Sequence, residues 1–180
     1  MNAKGQRYLI TGCSGAGKSS LLNELSGRGF ITSQEPGRQI VKEQIAAGGD
    51  ALPWQDKIAF GRLLADATIA SFDAMLGQEG PVFFDRGAPD IFAWFDQIGE
   101  RIPAKALQAL QAISYNSPVF LAPPWQEIYR QDEERPKPFS EAMQEYEMII
   151  RRLEQTSSKL AILPRASICE RADFIEDCLS

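Results

Sequence analysis

The residues with the clearest chemical capacity lie in the stretch "GCSGAGKSS", from Gly12 to Ser20, where Gly12 is followed after four residues by Gly17, Lys18 and Ser19. Glycines at this spacing let backbone N–H groups approach phosphate oxygens closely. A helix opening at Lys18 presents its positive end to the same charge. Lys18 is placed to reach the β- and γ-phosphates of a nucleoside triphosphate, and the Ser19 hydroxyl to ligate Mg²⁺. Gly12, Ser14, Gly15, Ala16, Gly17, Lys18, Ser19 and Ser20 are the expected nucleotide-binding residues. Cys13, within the loop, reads as a small filler or as a redox-sensitive thiol.

Such a loop states that phosphate is held, not what is done with it. Asp85, at the end of the apolar run "VFFD", is the expected second metal ligand, directly or through water. The next residue is Arg86 rather than Glu, which disfavours a hydrolytic motor; an arginine there can touch phosphate or an anionic acceptor. In "SQEPGRQ", Glu35 can orient or deprotonate a hydroxyl and Arg38 can hold its polar group. Alternatively the pair decorates a solvated turn around Pro36-Gly37. This segment follows the second predicted strand, which is expected beside the phosphate-loop strand. Asp90 either serves the acceptor or favours the N-terminal end of its own helix. Arg130 and Arg135 lie in a proline-rich, charged excursion and can neutralise phosphate in a closing lid, or simply solvate a loop. Pro164 and Arg165, after the last predicted strand, lie where a base can rest.

Composition bounds the chemistry further. The chain has no histidine, which removes the usual general base and every His-activated nucleophile. Reaction must rest on carboxylates, Arg, Lys and a metal ion carried in with the nucleotide. A net charge of −5 argues against a nucleic-acid partner. No apolar run approaches the roughly 20 residues of a membrane span, and the first residues lack the pattern of a signal peptide. Cys13, Cys169 and Cys178 form no disulfide framework or metal-ligand spacing. A reduced, cytoplasmic setting is expected.

The elements that must position these residues alternate between strand and helix patterns over 180 residues, which fits a single domain with one core. Strands are predicted at Arg7–Thr11, Phe30–Ser33, Pro81–Asp85, Pro118–Ala122 and Lys159–Leu163. Helices are predicted at Lys18–Ser26, at Arg38–Ala47, from Pro53 or Asp56 to Leu76, from Pro89 to Ile98 and from Pro103 to Ala112. In the third of these, Phe60, Leu63, Leu64 and Ala67 are expected on one buried face and Ile69, Phe72 and Leu76 on another. The segment Pro123–Ser140 reads as the excursion or lid. Ser140 is the expected N-cap of a helix with Ala142, Tyr146, Ile149, Ile150 and Leu153 on its core face. A last helix runs from about Ser167 to Leu179. The expected fold is a three-layer α/β P-loop NTPase with a five-stranded parallel sheet, the nucleotide at the C-terminal strand ends and a small lid.

The segments "GCSGAGKSS", "EPGRQIVKEQ", "FFDRGAPD" and "FLAPPWQEIYRQDEER" together resemble the small AAA-labelled P-loop proteins grouped with the ribosylnicotinamide kinase domain. The resemblance implies a nucleoside-kinase-like fold rather than a ring-forming motor. It implies that Asp85 and Arg86 serve Mg²⁺ and acceptor, that Glu35 and Arg38 form the acceptor segment, and that Arg130 and Arg135 are lid arginines.

The expected function is therefore ATP- and Mg²⁺-dependent phosphoryl transfer to a small hydroxyl-bearing, nucleoside-like metabolite; no guanine-reading motif appears, which disfavours a Ras-like GTPase and leaves GTP open as donor only through other contacts. Two other readings stand beside it. One is a nucleotide-dependent switch that recruits a protein partner with slow turnover; the other is a plain NTPase.

Overall fold

The computed structural model describes residues 5–130 and 138–179. Strands β1 (Gln6–Gly12), β2 (Ile31–Ser33), β3 (Pro81–Asp85), β4 (Val119–Ala122) and β5 (Leu160–Ile162) form one parallel sheet in the order β2-β3-β1-β4-β5. Between them run α1 (Lys18–Gly27), α2 (Pro36–Ala47), α3 (Lys57–Ala74), α4 (Ala88–Ile98), α5 (Ala104–Ala112), α6 (Phe139–Glu154) and α7 (Ile168–Leu179).

Helices cover both faces of the sheet, so the central strands have no polar alternation. Along β1, Tyr8 and Ile10 pack with Leu21 and Leu25 of α1 and Ile175 of α7. Leu9 points the other way, to Phe72 of α3 and to Ile149 and Leu153 of α6. Phe83 of β3 is fully buried, with ring centroids of Phe30 at 5.4 Å, Tyr8 at 5.6 Å and Phe120 at 6.3 Å. The register Leu9↔Phe84 and Ile10↔Asp85 brings the loop after β1 and the end of β3 out side by side.

Several sequence expectations shift. β3 lies between β1 and β2, so the Glu35 segment does not follow the neighbour of the phosphate-loop strand. The five-residue β3, apolar up to Asp85, takes the interior place next to β1, and the three-residue, half-buried β2 pairs at the edge. α2 starts at Pro36, two residues early, because proline is preformed for a first helical turn and needs no N–H there. Pro36-Gly37 is thus helix, not turn. α6 starts at Phe139, with Pro138 before it, so Ser140 lies inside the first turn and is not the cap. In α3 the buried line runs Phe60, Ala65, Thr68 and Phe72; Leu63 falls off it and Leu76 lies beyond the helix end, leaving them 39% and 55% exposed. Asp56 caps α3, accepting from the N–H groups of Ile58 and Ala59 at 3.1 and 2.8 Å. Among the described residues, no helix is long and apolar enough to cross a membrane.

Candidate active site

The loop between β1 and α1 is shaped by its glycines. Gly12 has φ +118°, and a Cβ there would lie 2.3 Å from the Ala122 carbonyl oxygen of β4. Gly17, at φ +77°, turns the chain into α1. Lys18 is buried, and its ammonium donates to the carbonyls of Cys13 at 2.8 Å and Gly12 at 3.3 Å. Burial, and then the charge of Arg86, push the Lys18 pKa down. Cys13 is also buried and its thiol reaches the carbonyls of Ser14 and Ala142.

Ser19 donates its hydroxyl to Asp85 Oδ2 at 3.2 Å. The other oxygen of that carboxylate, Oδ1, is buried without a hydrogen-bond partner. Burial first, and the neighbouring Glu35 charge second, raise the Asp85 pKa to about 6. A hydroxyl and a carboxylate with an orphaned oxygen form an all-oxygen donor pair, which suits a hard divalent cation. Ser19 and Asp85 therefore fit Mg²⁺.

Arg86 is the organising charge of the site. It is the one non-glycine residue among those described with a left-handed backbone, at φ 65°, a conformation that costs on the order of 1–3 kcal/mol and is typical of functional positions. Its N–H continues the ladder to the Ile10 carbonyl at 3.0 Å. The guanidinium lies among three carboxylates: Nη1 is 2.8 Å from Asp90 Oδ1, Nη2 is 2.8 Å from Glu145 Oε1, and Nε is 3.1 Å from Glu35 Oε1. Asp90 is itself tied down. It accepts from Thr11 Oγ1 at 2.6 Å and from the Gly87 N–H at 2.9 Å, the latter a cap on α4. Asp90 thus caps its helix and anchors Arg86 through the same carboxylate.

Lys18, Ser19, Arg86 and the three carboxylates around Arg86 open onto one cavity of about 830 Å³, while Asp85, hydrogen-bonded to Ser19, is not part of its wall. Ser14, Gly15, Gly17, Lys18, Ser19 and Ser20 line its phosphate-loop end. Glu35, Arg38, Arg86, Asp90 and Glu145 also line it, together with an apolar wall of Trp54, Phe60, Leu64 and Trp94. Phe60 and Trp94 meet edge to face at 5.2 Å, and the Trp94 indole N–H donates to the Lys57 carbonyl at 3.1 Å.

Other predicted residues lie elsewhere. Gly12 and Ala16 support the loop from behind rather than lining the cavity. Arg130 turns back on its own segment, donating to the carbonyls of Tyr129 at 2.7 Å and Glu127 at 3.1 Å, and is absent from the cavity wall. Arg135 lies outside the described residues. Arg165 donates to the Pro124 carbonyl at 2.7 Å; Ile128 and Ile168 line the cavity near the loop instead.

Sequence reasoning missed Thr11, Trp54, Glu145 and Arg171. For two of these a signal exists. Glu145 lies three residues after Ala142 and four before Ile149, and Arg171 three after Ile168 and four before Ile175. Each is a charge on the apolar stripe of its helix, where charge needs a specific partner.

The site belongs with a known sequence pattern. That of the AAA domain matches residues 7–171, nearly the whole chain. The chain belongs to the AAA domain family. No curated protein matches it. Among solved structures, this AAA domain is similar to NadR protein in complex with NR, with TM-score 0.71 and 17% identity, covering 98% of this chain and 51% of that one. It is similar to NadR in complex with NAD and AMP-PNP, with TM-score 0.66, 14% identity and coverage of 97% and 49%. The chain therefore spans about half the length of the NadR chains. It is also similar to deoxyadenosine kinase from M. mycoides with bound dATP, with TM-score 0.64, 12% identity and coverage of 97% and 98%. At these identities the likeness establishes the P-loop nucleoside-kinase fold.

Proposed function

We propose that this AAA domain is an ATP- and Mg²⁺-dependent phosphotransferase acting on a small hydroxyl-bearing, nucleoside-like metabolite. The observation that carries the reading is the continuity of the 830 Å³ cavity. One space joins a phosphate loop, a carboxylate-guanidinium pair and an aromatic wall. A hydrolase needs only the first of these, with water as its acceptor. The similarity to NadR protein in complex with NR and to a deoxyadenosine kinase with bound dATP supports the same reading.

In this reading Lys18 exchanges its loop carbonyls for β- and γ-phosphate oxygens, and the loop N–H groups hold the rest of the chain of phosphates. Ser19 and Asp85 would hold Mg²⁺, which when bound would supply neutralisation of phosphate charge. Trp54, Phe60 and Trp94 receive the flat part of the acceptor, and Arg38 its polar groups. Glu35, oriented by Arg86, takes the proton of the acceptor hydroxyl as its oxygen bonds to the γ-phosphorus. The bond from that phosphorus to the β–γ bridging oxygen breaks, ADP leaves, and Glu35 returns its proton to water. The apolar wall excludes bulk water from the transfer.

The test is ADP release from Mg-ATP, and in parallel Mg-GTP, across a panel of nucleosides and other hydroxyl-bearing metabolites. Release is expected to be slow alone and strongly accelerated by an acceptor, with stoichiometric phosphorylated product. Steady acceptor-independent hydrolysis would identify a plain NTPase instead. Nucleotide binding without turnover, together with nucleotide-dependent capture of a protein, would identify a switch.

A further inference from the structure

Arg171 is the largest fully buried side chain outside the cavity, only 1% exposed, and it comes from α7 to the back of the phosphate loop. Its Nη1 donates to the Ala16 carbonyl at 2.9 Å, and its Nε is buried with no hydrogen-bond partner. Among the described residues Arg171 makes no ion pair. Burial alone acts on the group, and it pushes the guanidinium pKa down. The contact is close: a Cβ on Gly17 would lie 2.9 Å from Nη1.

An unpaired buried cation is costly, and tying a helix to a loop carbonyl needs only a neutral donor. The charge is explained by what lies on the other side of the peptide. The Ala16 carbonyl and the Gly17 N–H belong to one planar trans peptide, so they point in opposite directions. With the carbonyl held by Arg171 behind the loop, the N–H of Gly17 is aimed at the cavity that Gly17 lines. A cation on the carbonyl polarises the amide and strengthens the N–H as a donor. We infer that Arg171 is a positioning residue for the donor polyphosphate, acting through the Ala16–Gly17 peptide and completing its own charge balance only when the polyphosphate is bound. This rests on the reading of the loop as a triphosphate site but not on the identity of the acceptor.

The experiment compares wild type with Arg171→Gln, which keeps a neutral donor, and Arg171→Lys, which keeps the charge. Binding of Mg-ATP and of inorganic tripolyphosphate is measured by calorimetry, and the Tm of the ligand-free proteins by thermal melting. For Arg171→Gln, affinity for both probes is expected to fall about tenfold by the same factor, as for a charge interacting through an effective dielectric near 20. Its ligand-free Tm is expected at or above that of wild type, and Arg171→Lys is expected to recover most of the affinity. Unchanged affinity for both probes in Arg171→Gln, with a lowered Tm, would make Arg171 a structural strut and overturn the inference. Loss for ATP but not tripolyphosphate would also overturn it, since the residue would then read the base. If wild type binds neither probe, the phosphate-loop reading itself fails, an outcome distinct from both.

Discussion

The guanidinium of Arg86, at the end of β3, pairs with the carboxylate of Glu145 on α6 at 2.8 Å. This contact ties the helix that follows the proline-rich segment directly to the residue beside Asp85. Because Asp90 and Glu35 share the same guanidinium, removing Arg86 leaves three carboxylates facing one another in a largely buried space. Arg86→Met is expected to destabilise the fold by about 3–5 kcal/mol, the cost of breaking a buried ionic cluster at its centre. Glu145→Gln, which leaves two carboxylates on Arg86, is expected to cost about 1 kcal/mol. Urea denaturation of both variants checks the ranking, and equal losses would contradict the central role of Arg86.

Asp85 presents the opposite case, a group the resting fold disfavours. Its folded pKa of about 6 lies above the ordinary carboxylate value, so ionisation is penalised in the folded chain. The native state binds the extra proton, and the penalty is absent below about pH 4 and complete above about pH 6. Asp85→Asn is therefore expected to raise the Tm of the nucleotide-free protein at pH 7.5, by up to about 3 kcal/mol in stability. The same variant is expected to lose Mg²⁺-dependent tightening of ATP binding. Melting curves and titrations with and without Mg²⁺ read the two effects separately.

Glu35 is expected to act on the chemical step rather than on the donor. Glu35→Gln should lower acceptor-dependent kcat by about 10²–10⁴, the span of general base catalysis. The Kd for Mg-ATP should stay within about threefold, since the loop contacts are intact. Single-turnover phosphoryl transfer and nucleotide binding together decide this, and an undiminished rate would remove Glu35 from the reaction.

Trp54 is expected to act on the acceptor alone. It is 44% exposed and lines the cavity from the connection before α3. Trp54→Ala should raise the acceptor KM by about tenfold, consistent with about 1–3 kcal/mol for ring stacking on a base. The KM for ATP should not move. A variant whose acceptor KM is unchanged places the ring outside the acceptor's reach.

Much of this arrangement is legible in the sequence. The loop from Gly12 to Ser20 and the position of Asp85 follow from local spacing, because a strand, a turn and a helix in succession fix them within a few residues. The sequence narrows the start of α3 to Pro53 or Asp56, and Asp56 is the cap. What sequence order does not carry is sideways neighbourhood. The insertion of β3 between β1 and β2 is a matter of which of the two later strands is longer and more apolar, and it moved the expected surroundings of Glu35. Glu145 and Arg171 were harder still, since each is recognisable only as a charge on an apolar helical stripe. Their partners, Arg86 and the Ala16 carbonyl, lie far away in the chain. Arg130 shows the converse: a suggestive arginine in a suggestive segment that, in this structure, satisfies itself on nearby carbonyls.

The double attachment of Asp90 has a practical corollary for redesign. One carboxylate joins β1 through Thr11, the start of α4 through Gly87 and the guanidinium of Arg86. A change there disturbs scaffold and site together, so libraries that vary Asp90 would return mostly unfolded variants. The side chains of Trp54 and Lys57 on the cavity wall belong to the connection before α3 and its first residue, with none of these ties, whereas Phe60 is part of the core. If the proposed phosphotransferase reading holds, acceptor preference can therefore be engineered at those two positions, while the phosphate loop is left as it stands.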